Sequence, residues 1–178
     1  MTYGTETTNG SMSRNITVIQ GSIEISDDPT VTLTTILGSC VAVCMWDEEM
    51  KVGGMNHFLL AEGRDHNAIK YGAYAMEMLI NRLVRAGARR NCLQSKVFGG
   101  AAVSNFASDI GKKNGDFAIN FLNTEGIPCL GQSLGGTKAR RVRFVPTTGS
   151  AQMLFVLPTE VQTEKPSEAG IAADITMF

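Results

Sequence analysis

Two reactive side-chain types share one stretch of this chain, "TTILGSCVAVCMWDEEMKVGGMNHFLL" (residues 34–60), which holds Cys40 and His57 and reads as a single β-hairpin. A thiol and an imidazole within reach of each other can carry out acyl transfer, with the thiolate as nucleophile and the imidazole moving protons. An imidazolium beside the thiol would also lower its pKa. If Asp47, Glu48, Glu49 and Met50 form the hairpin loop, Trp46 pairs with Lys51 and the ladder sets Cys40 opposite His57 on one face. Directly opposed residues have Cβ atoms roughly 4.5 to 5.5 Å apart. A slip of one residue, for which Gly53-Gly54 offers a bulge site, would send the pair to opposite faces. The reading without chemistry is a buried core cysteine beside a hydrogen-bonded histidine. Cys40 follows Leu37-Gly38-Ser39 at a loop-to-strand junction. Gly38 permits a tight turn there, and the backbone N–H groups around Ser39 and Cys40 could converge on a developing oxyanion.

The other candidates carry less chemistry. Cys44 lies about 13 Å farther along the same strand, too far to share the work of Cys40, and reads as core. Cys92 and Cys129 stand alone near apolar residues, as small buried hydrophobes do. The absence of a C-x-x-C pair argues against zinc and thioredoxin-type chemistry. His66, in the polar run "AEGRDHN", reads as a solvated loop residue. "GGTK" at 135–138 has a phosphate-loop flavour but lacks the required order of glycine, lysine and hydroxyl. "LGGTKARRVRF" is more simply a glycine turn feeding a strand with Val142 and Phe144 inward. Arg82, Arg85, Arg89 and Arg90 gather at the end of a helix, where its dipole favours cations.

The elements that must position Cys40 and His57 follow from periodicity. Short β-type runs occur at "ITVIQ", "SIEIS", the hairpin, "SKVF", "IPCLG", "RRVRFV" and "QMLFVL". Two amphipathic helices interrupt them, roughly 68–86 and 109–124, each followed by a glycine stop. In the hairpin's first strand Ala42, Cys44 and Trp46 on one face and Val41, Val43 and Met45 on the other are all apolar, so that strand is covered on both sides. With 178 residues, 43% hydrophobic, the chain can bury one substantial core. The expected fold is a single α/β domain of the α+β kind, a mixed or antiparallel central sheet packed with two main helices. Residues 1–14 and 159–178 read as tails around a domain at 15–158. Sixteen Lys and Arg against seventeen Asp and Glu exclude a global pull toward nucleic acid or an anionic membrane. No segment approaches the roughly 20 apolar residues of a membrane span, and the polar opening has no signal-peptide character. The expected location is the cytoplasm.

"TTILGSCVAVCMWD", "VGGMNHFLL", "VFGGA", "IGKKN" and "LGGTKARRVRF", in this order, resemble the CheD family of chemoreceptor glutamine deamidases, over about residues 16–144. The resemblance implies an α/β fold akin to toxin-type cysteine deamidases and a Cys-His-Thr triad. By motif position the triad is Cys40, His57 and Thr34, the threonine six residues before the cysteine, with Thr35 adjacent to it. It also implies a protein-glutamine deamidase that converts glutamines to glutamates in the cytoplasmic helices of methyl-accepting chemotaxis receptors. That chemistry runs through a cysteine thioester, releases ammonia, and needs neither metal nor organic cofactor. Some members bind a CheC-type phosphatase, so the competing reading is a non-catalytic adaptor for receptors or for that phosphatase. A thiol protease or transglutaminase would share the acyl-thioester step. Two residues depart from the family pattern, Ala61 where proline often follows "HFLL" and Ala139 where glycine commonly precedes the arginine; neither touches the triad.

Overall fold

A computed structural model describes residues 13–60, 66–103, 108–156 and 176–178. The strands are β1 (Arg14–Thr17), β2 (Ile23–Ser26), β3 (Val31–Leu37), β4 (Val41–Asp47), β5 (Val52–Phe58), β6 (Gln94–Gly99), β7 (Cys129–Leu134), β8 (Ala139–Val145), β9 (Ser150–Val156) and β10 (Thr176–Met177). The two helices are α1 (His66–Arg85) and α2 (Ser108–Glu125).

Both helices end where a glycine can enter the left-handed region. Gly87 (φ +106°) and Gly126 (φ +69°) follow them, and Ala88 N–H and Ile127 N–H reach back to Leu83 O and Leu122 O. These are Schellman closures, sealed by apolar contact between the same residues. The inward stripe of α1 is Met76, Leu79, Ile80 and Leu83, as its spacing predicts, whereas Ile69 is exposed.

The expected two helices on a mixed sheet are present, but the strands divide into two five-stranded sheets, ordered β1-β3-β8-β9-β10 and β2-β5-β4-β6-β7. Each is mixed, through the parallel pairs β1–β3 and β6–β7. The second sheet is the middle layer. Val41, Val43 and Met45 of β4 pack toward the helices, while Ala42, Cys44 and Trp46 pack toward Leu33, Val142 and Phe144 of the first sheet. A strand covered on both faces must be apolar on both, which explains the unbroken hydrophobicity of β4.

The hairpin register differs from the expected one by two residues: Ala42, not Cys40, pairs with His57, and Trp46 pairs with Gly53. Asp47 accounts for the shift. It is almost fully buried, accepts from the Glu49 and Met50 N–H groups, and is gripped by Arg89. Asp47 therefore closes the ladder opposite Val52, and the turn moves to 48–51 with Lys51 at φ 55°. A two-residue shift preserves side-chain facing, and Cys40, just before β4, packs against the same inter-sheet cluster as Ala42, the partner of His57.

Arg89 also pairs with Glu49 at 2.8 Å, and Arg90 with Glu125, so half of the predicted basic cluster is spent on ion pairs. Of the predicted tails, residues 1–12 and 159–175 lie outside the described residues. Arg14 already belongs to β1, and within 159–178 the strand β10 pairs with β9 while the Phe178 ring packs edge-on to Phe98 at 5.6 Å. His66, expected in a loop, begins α1. Among the described residues, no helix is long and apolar enough to cross a membrane.

Candidate active site

Cys40 lies in the short link between β3 and β4, which belong to different sheets. That link is held by every carbonyl it has. Gly38 O accepts from Ala101 N–H, Cys40 O from Gly100 N–H, and Ser39 O from Asn114 Nδ2, each at 2.8 Å. Among the described residues the N–H groups of Ser39 and Cys40 donate to no backbone carbonyl. Gly38 supplies no left-handed turn here; the special glycine is Gly99, at φ +117°. A Cβ on Gly99 would lie 2.1 Å from Cys40 O, so only glycine lets β6 end against the backbone of Cys40.

His57, on β5, faces the first sheet and is 7% exposed. Its Nδ1 lies 3.0 Å from Thr35 Oγ1 and 3.2 Å from Val18 O, and Thr35 Oγ1 donates to Val18 O at 2.7 Å. One proton arrangement satisfies all three contacts. The threonine gives its hydrogen to Val18 O, its lone pair accepts Nδ1–H, and Nε2 is left unprotonated as the basic nitrogen. Among the described residues Nε2 has no hydrogen-bond partner although it is buried.

The hydroxyl that meets His57 is therefore that of Thr35 and not that of Thr34. Val31, Leu33, Thr35 and Leu37 form the face of β3 buried against the second sheet, whereas Thr34 is half-exposed on the other face, its hydroxyl 3.5 Å from Ile16 O. The alternation was already visible in "VTLTTIL", where the apolar residues at odd positions share their face with Thr35.

Burial acts on both Cys40 and His57. It pushes the half-buried Cys40 thiol above its ordinary value, opposed by the residue's own N–H. It pulls His57 below its ordinary value, opposed by the Val18 carbonyl. Both shifts work against the preformed thiolate–imidazolium pair that proximity alone suggests. The thiol's hydrogen bond goes to Gln20 Oε1 at 3.3 Å.

Sequence reasoning missed Gln20 and Asn114, and named Thr35 only as the neighbour of Thr34. Asn114 is fully buried on α2 and ties the Cys40 link to the end of β5 by also accepting Leu60 N–H at 2.8 Å. Its signal was a polar residue between Ile110 and Ala118 on an apolar helical stripe. Cys44 is fully buried and its thiol is pushed far up by that burial. The Cys129 thiol donates to Gly131 O at 3.3 Å. Among the described residues, no three His, Cys, Asp or Glu side chains converge as metal ligands would.

Residues 59–154 match the family model described as CheD chemotactic sensory transduction; the match covers α1 to β9 and stops short of Cys40 and His57. Full-length relatives reach farther. The chain is 50% identical over 143 residues to the probable chemoreceptor glutamine deamidase CheD 1 of Ruegeria sp. (strain TM1040), covering 79% of this chain and 76% of that protein. It is 46% identical over 171 residues to the probable chemoreceptor glutamine deamidase CheD of Caulobacter vibrioides, covering 90% and 91%. Among solved structures, Bacillus licheniformis YfiH overlaps with a TM-score of 0.47 at 14% identity, covering 71% of this chain and 61% of that one.

Proposed function

Because the chain belongs to the CheD family, we propose that it hydrolyses the side-chain amide of glutamine in the cytoplasmic helices of chemoreceptors, with Cys40 as nucleophile, His57 as base and Thr35 orienting the base. The observation that supports the assignment of roles is the buried imidazole whose Nδ1 is tied to Thr35 and whose Nε2 has no partner among the described residues, on β5 beside Ala42, whose inter-sheet cluster the half-buried Cys40 also packs against.

As sulfur approaches the amide carbon, Nε2 takes the thiol proton, and the imidazolium so formed is stabilised through Nδ1–H by Thr35 and Val18 O. The carbonyl oxygen takes up negative charge toward the N–H groups of Ser39 and Cys40, with Gly38 setting the start of the link. The imidazolium returns its proton to the departing nitrogen, which leaves as ammonia and gives a thioester. Water, deprotonated by His57, then hydrolyses the thioester to glutamate and regenerates the thiol. No step calls for a metal or organic cofactor.

Exposed apolar residues near Cys40 suit a protein substrate. The Val103 side chain lies against Gly38, the Tyr71 hydroxyl against Gly21, and Ile19 is 64% exposed. Receptor cytoplasmic helices place the reaction in the cytoplasm, and a CheC-type phosphatase is a further candidate partner for the same rim. The test is incubation with a receptor cytoplasmic fragment, followed by peptide mass spectrometry and ammonia measurement. Deamidation adds about one dalton at chosen glutamines and releases one ammonia for each. Chain cleavage, or no change with the wild-type protein, refutes the reading.

A further inference from the structure

The partner of the Cys40 thiol is a carboxamide of the same kind as the proposed substrate's, the side chain of Gln20. Gln20 is an exposed residue on the turn from β1 to β2, and that turn is fixed against the base on both sides. Before it, Val18 O receives Thr35 and His57 Nδ1. After it, Gly21 N–H donates to His57 O at 2.7 Å and His57 N–H donates to Ser22 O at 3.2 Å. Ser22 closes the turn by donating from N–H and Oγ to Ile19 O. The contact with Cys40 is thus made by an exposed side chain from an anchored backbone.

The contact also has the wrong polarity for reaction. Attack requires sulfur to approach the amide carbon with the carbonyl oxygen turned toward N–H donors. Here the oxygen points at the sulfur and accepts its hydrogen, which occupies the thiol without exposing the carbon to it. We propose that Gln20 is a resident pseudosubstrate, its carboxamide standing where an incoming glutamine must sit and leaving when that glutamine arrives. This rests on Cys40 being the nucleophile of a glutamine deamidase.

Wild type, Gln20→Ala and Gln20→Glu, as full chains, are compared in two assays. In the first, iodoacetamide labelling of Cys40 is followed by peptide mass at fixed pH. Gln20→Ala labels faster, on the order of fivefold for loss of one neutral hydrogen bond, and Gln20→Glu labels more slowly because a carboxylate beside the sulfur disfavours the thiolate. In the second, a receptor fragment is deamidated under steady-state conditions. Gln20→Ala gains in kcat/KM by a similar factor, carried by a lower KM. The Gln20 peptide of the wild-type protein keeps its unmodified mass.

An unchanged or higher KM in Gln20→Ala, or labelling at the wild-type rate, overturns the proposal. So does a Gln20 peptide one dalton heavier in wild type but not in Cys40→Ala, which would make Gln20 a self-substrate. If wild type deamidates the fragment and Gln20→Ala shows none of these changes, only this inference falls. If wild type does not deamidate it, the reading of the site falls and takes this inference with it.

Discussion

Replacing Thr35 by valine keeps the shape of a side chain that is 2% exposed and removes only its hydroxyl, the group that joins His57 to Val18. Two hydrogen bonds disappear, Nδ1–H to Oγ1 at 3.0 Å and Oγ1–H to Val18 O at 2.7 Å. The direct approach of Nδ1 to Val18 O at 3.2 Å survives and keeps both remaining groups from being orphaned. At about 1 kcal/mol for each bond lost, with partial compensation, folding stability drops by about 1–2 kcal/mol. The cost to catalysis is larger because the imidazolium formed in the transition state loses an acceptor and the ring its fixed orientation; about 2 kcal/mol there corresponds to about 30-fold in kcat/KM. Thr34→Val, at a half-exposed hydroxyl 3.5 Å from Ile16 O, changes the rate less than about twofold and stability by less than about 0.5 kcal/mol. Rates come from ammonia release and the mass gain of a receptor fragment, stabilities from urea unfolding, and Thr35→Ser restores most of the activity. The motif position implied Thr34. If Thr34→Val loses more activity than Thr35→Val, the orienting role belongs to Thr34 and the argument from the β3 faces is wrong.

Cys40→Ala abolishes deamidation with its circular dichroism and unfolding midpoint near wild type, and His57→Ala loses on the order of 10³-fold or more; a double variant far worse than either single change would show that they do not act as one unit. The His57 pKa is held below its ordinary 6.5 and the Cys40 thiol above its ordinary 9.0, in both cases chiefly by burial. The reaction needs a neutral imidazole and a proton on the thiol, so kcat/KM is flat from about pH 7 to 9 and falls only as pH drops through the lowered histidine value or rises through the raised thiol value. The same depressed histidine contributes stability that is present above 6.5 and lost as pH falls through its folded value. A rate that is already falling between pH 7 and 8 contradicts this. Gly99→Ala drives a Cβ to 2.1 Å from Cys40 O at a φ of +117°, costing about 2 kcal/mol or more in urea unfolding and most of the activity. Gly87→Ala, with open space around it, costs about 1 kcal/mol from its φ alone and leaves the activity intact.

Local chemistry alone determined a good deal of this molecule. The stripe Met76, Leu79, Ile80 and Leu83 and the glycines after each helix fix α1 and α2, because helical spacing and the left-handed stop are properties of neighbouring residues. The expectation that His57 and Cys40 share the inter-sheet side survived a register wrong by two, since a strand's period is two and only odd slips reverse it. What the sequence left open involves partners distant along the chain. Asp47 moved the turn because Arg89, forty-two residues away, grips it. Thr35 displaced Thr34 because the face of β3 that meets His57 is chosen by how the two sheets pack. Gln20 and Val18 reached the site because the β1–β2 turn docks on β5. The lowered basicity of His57 and the raised pKa of Cys40 likewise come from desolvation, which arises only when the sheets close over the pair. The sequence singles out Cys40 and His57; the packing of one sheet on the other decides which threonine meets the imidazole, how far the two groups are desolvated and what rests against the thiol.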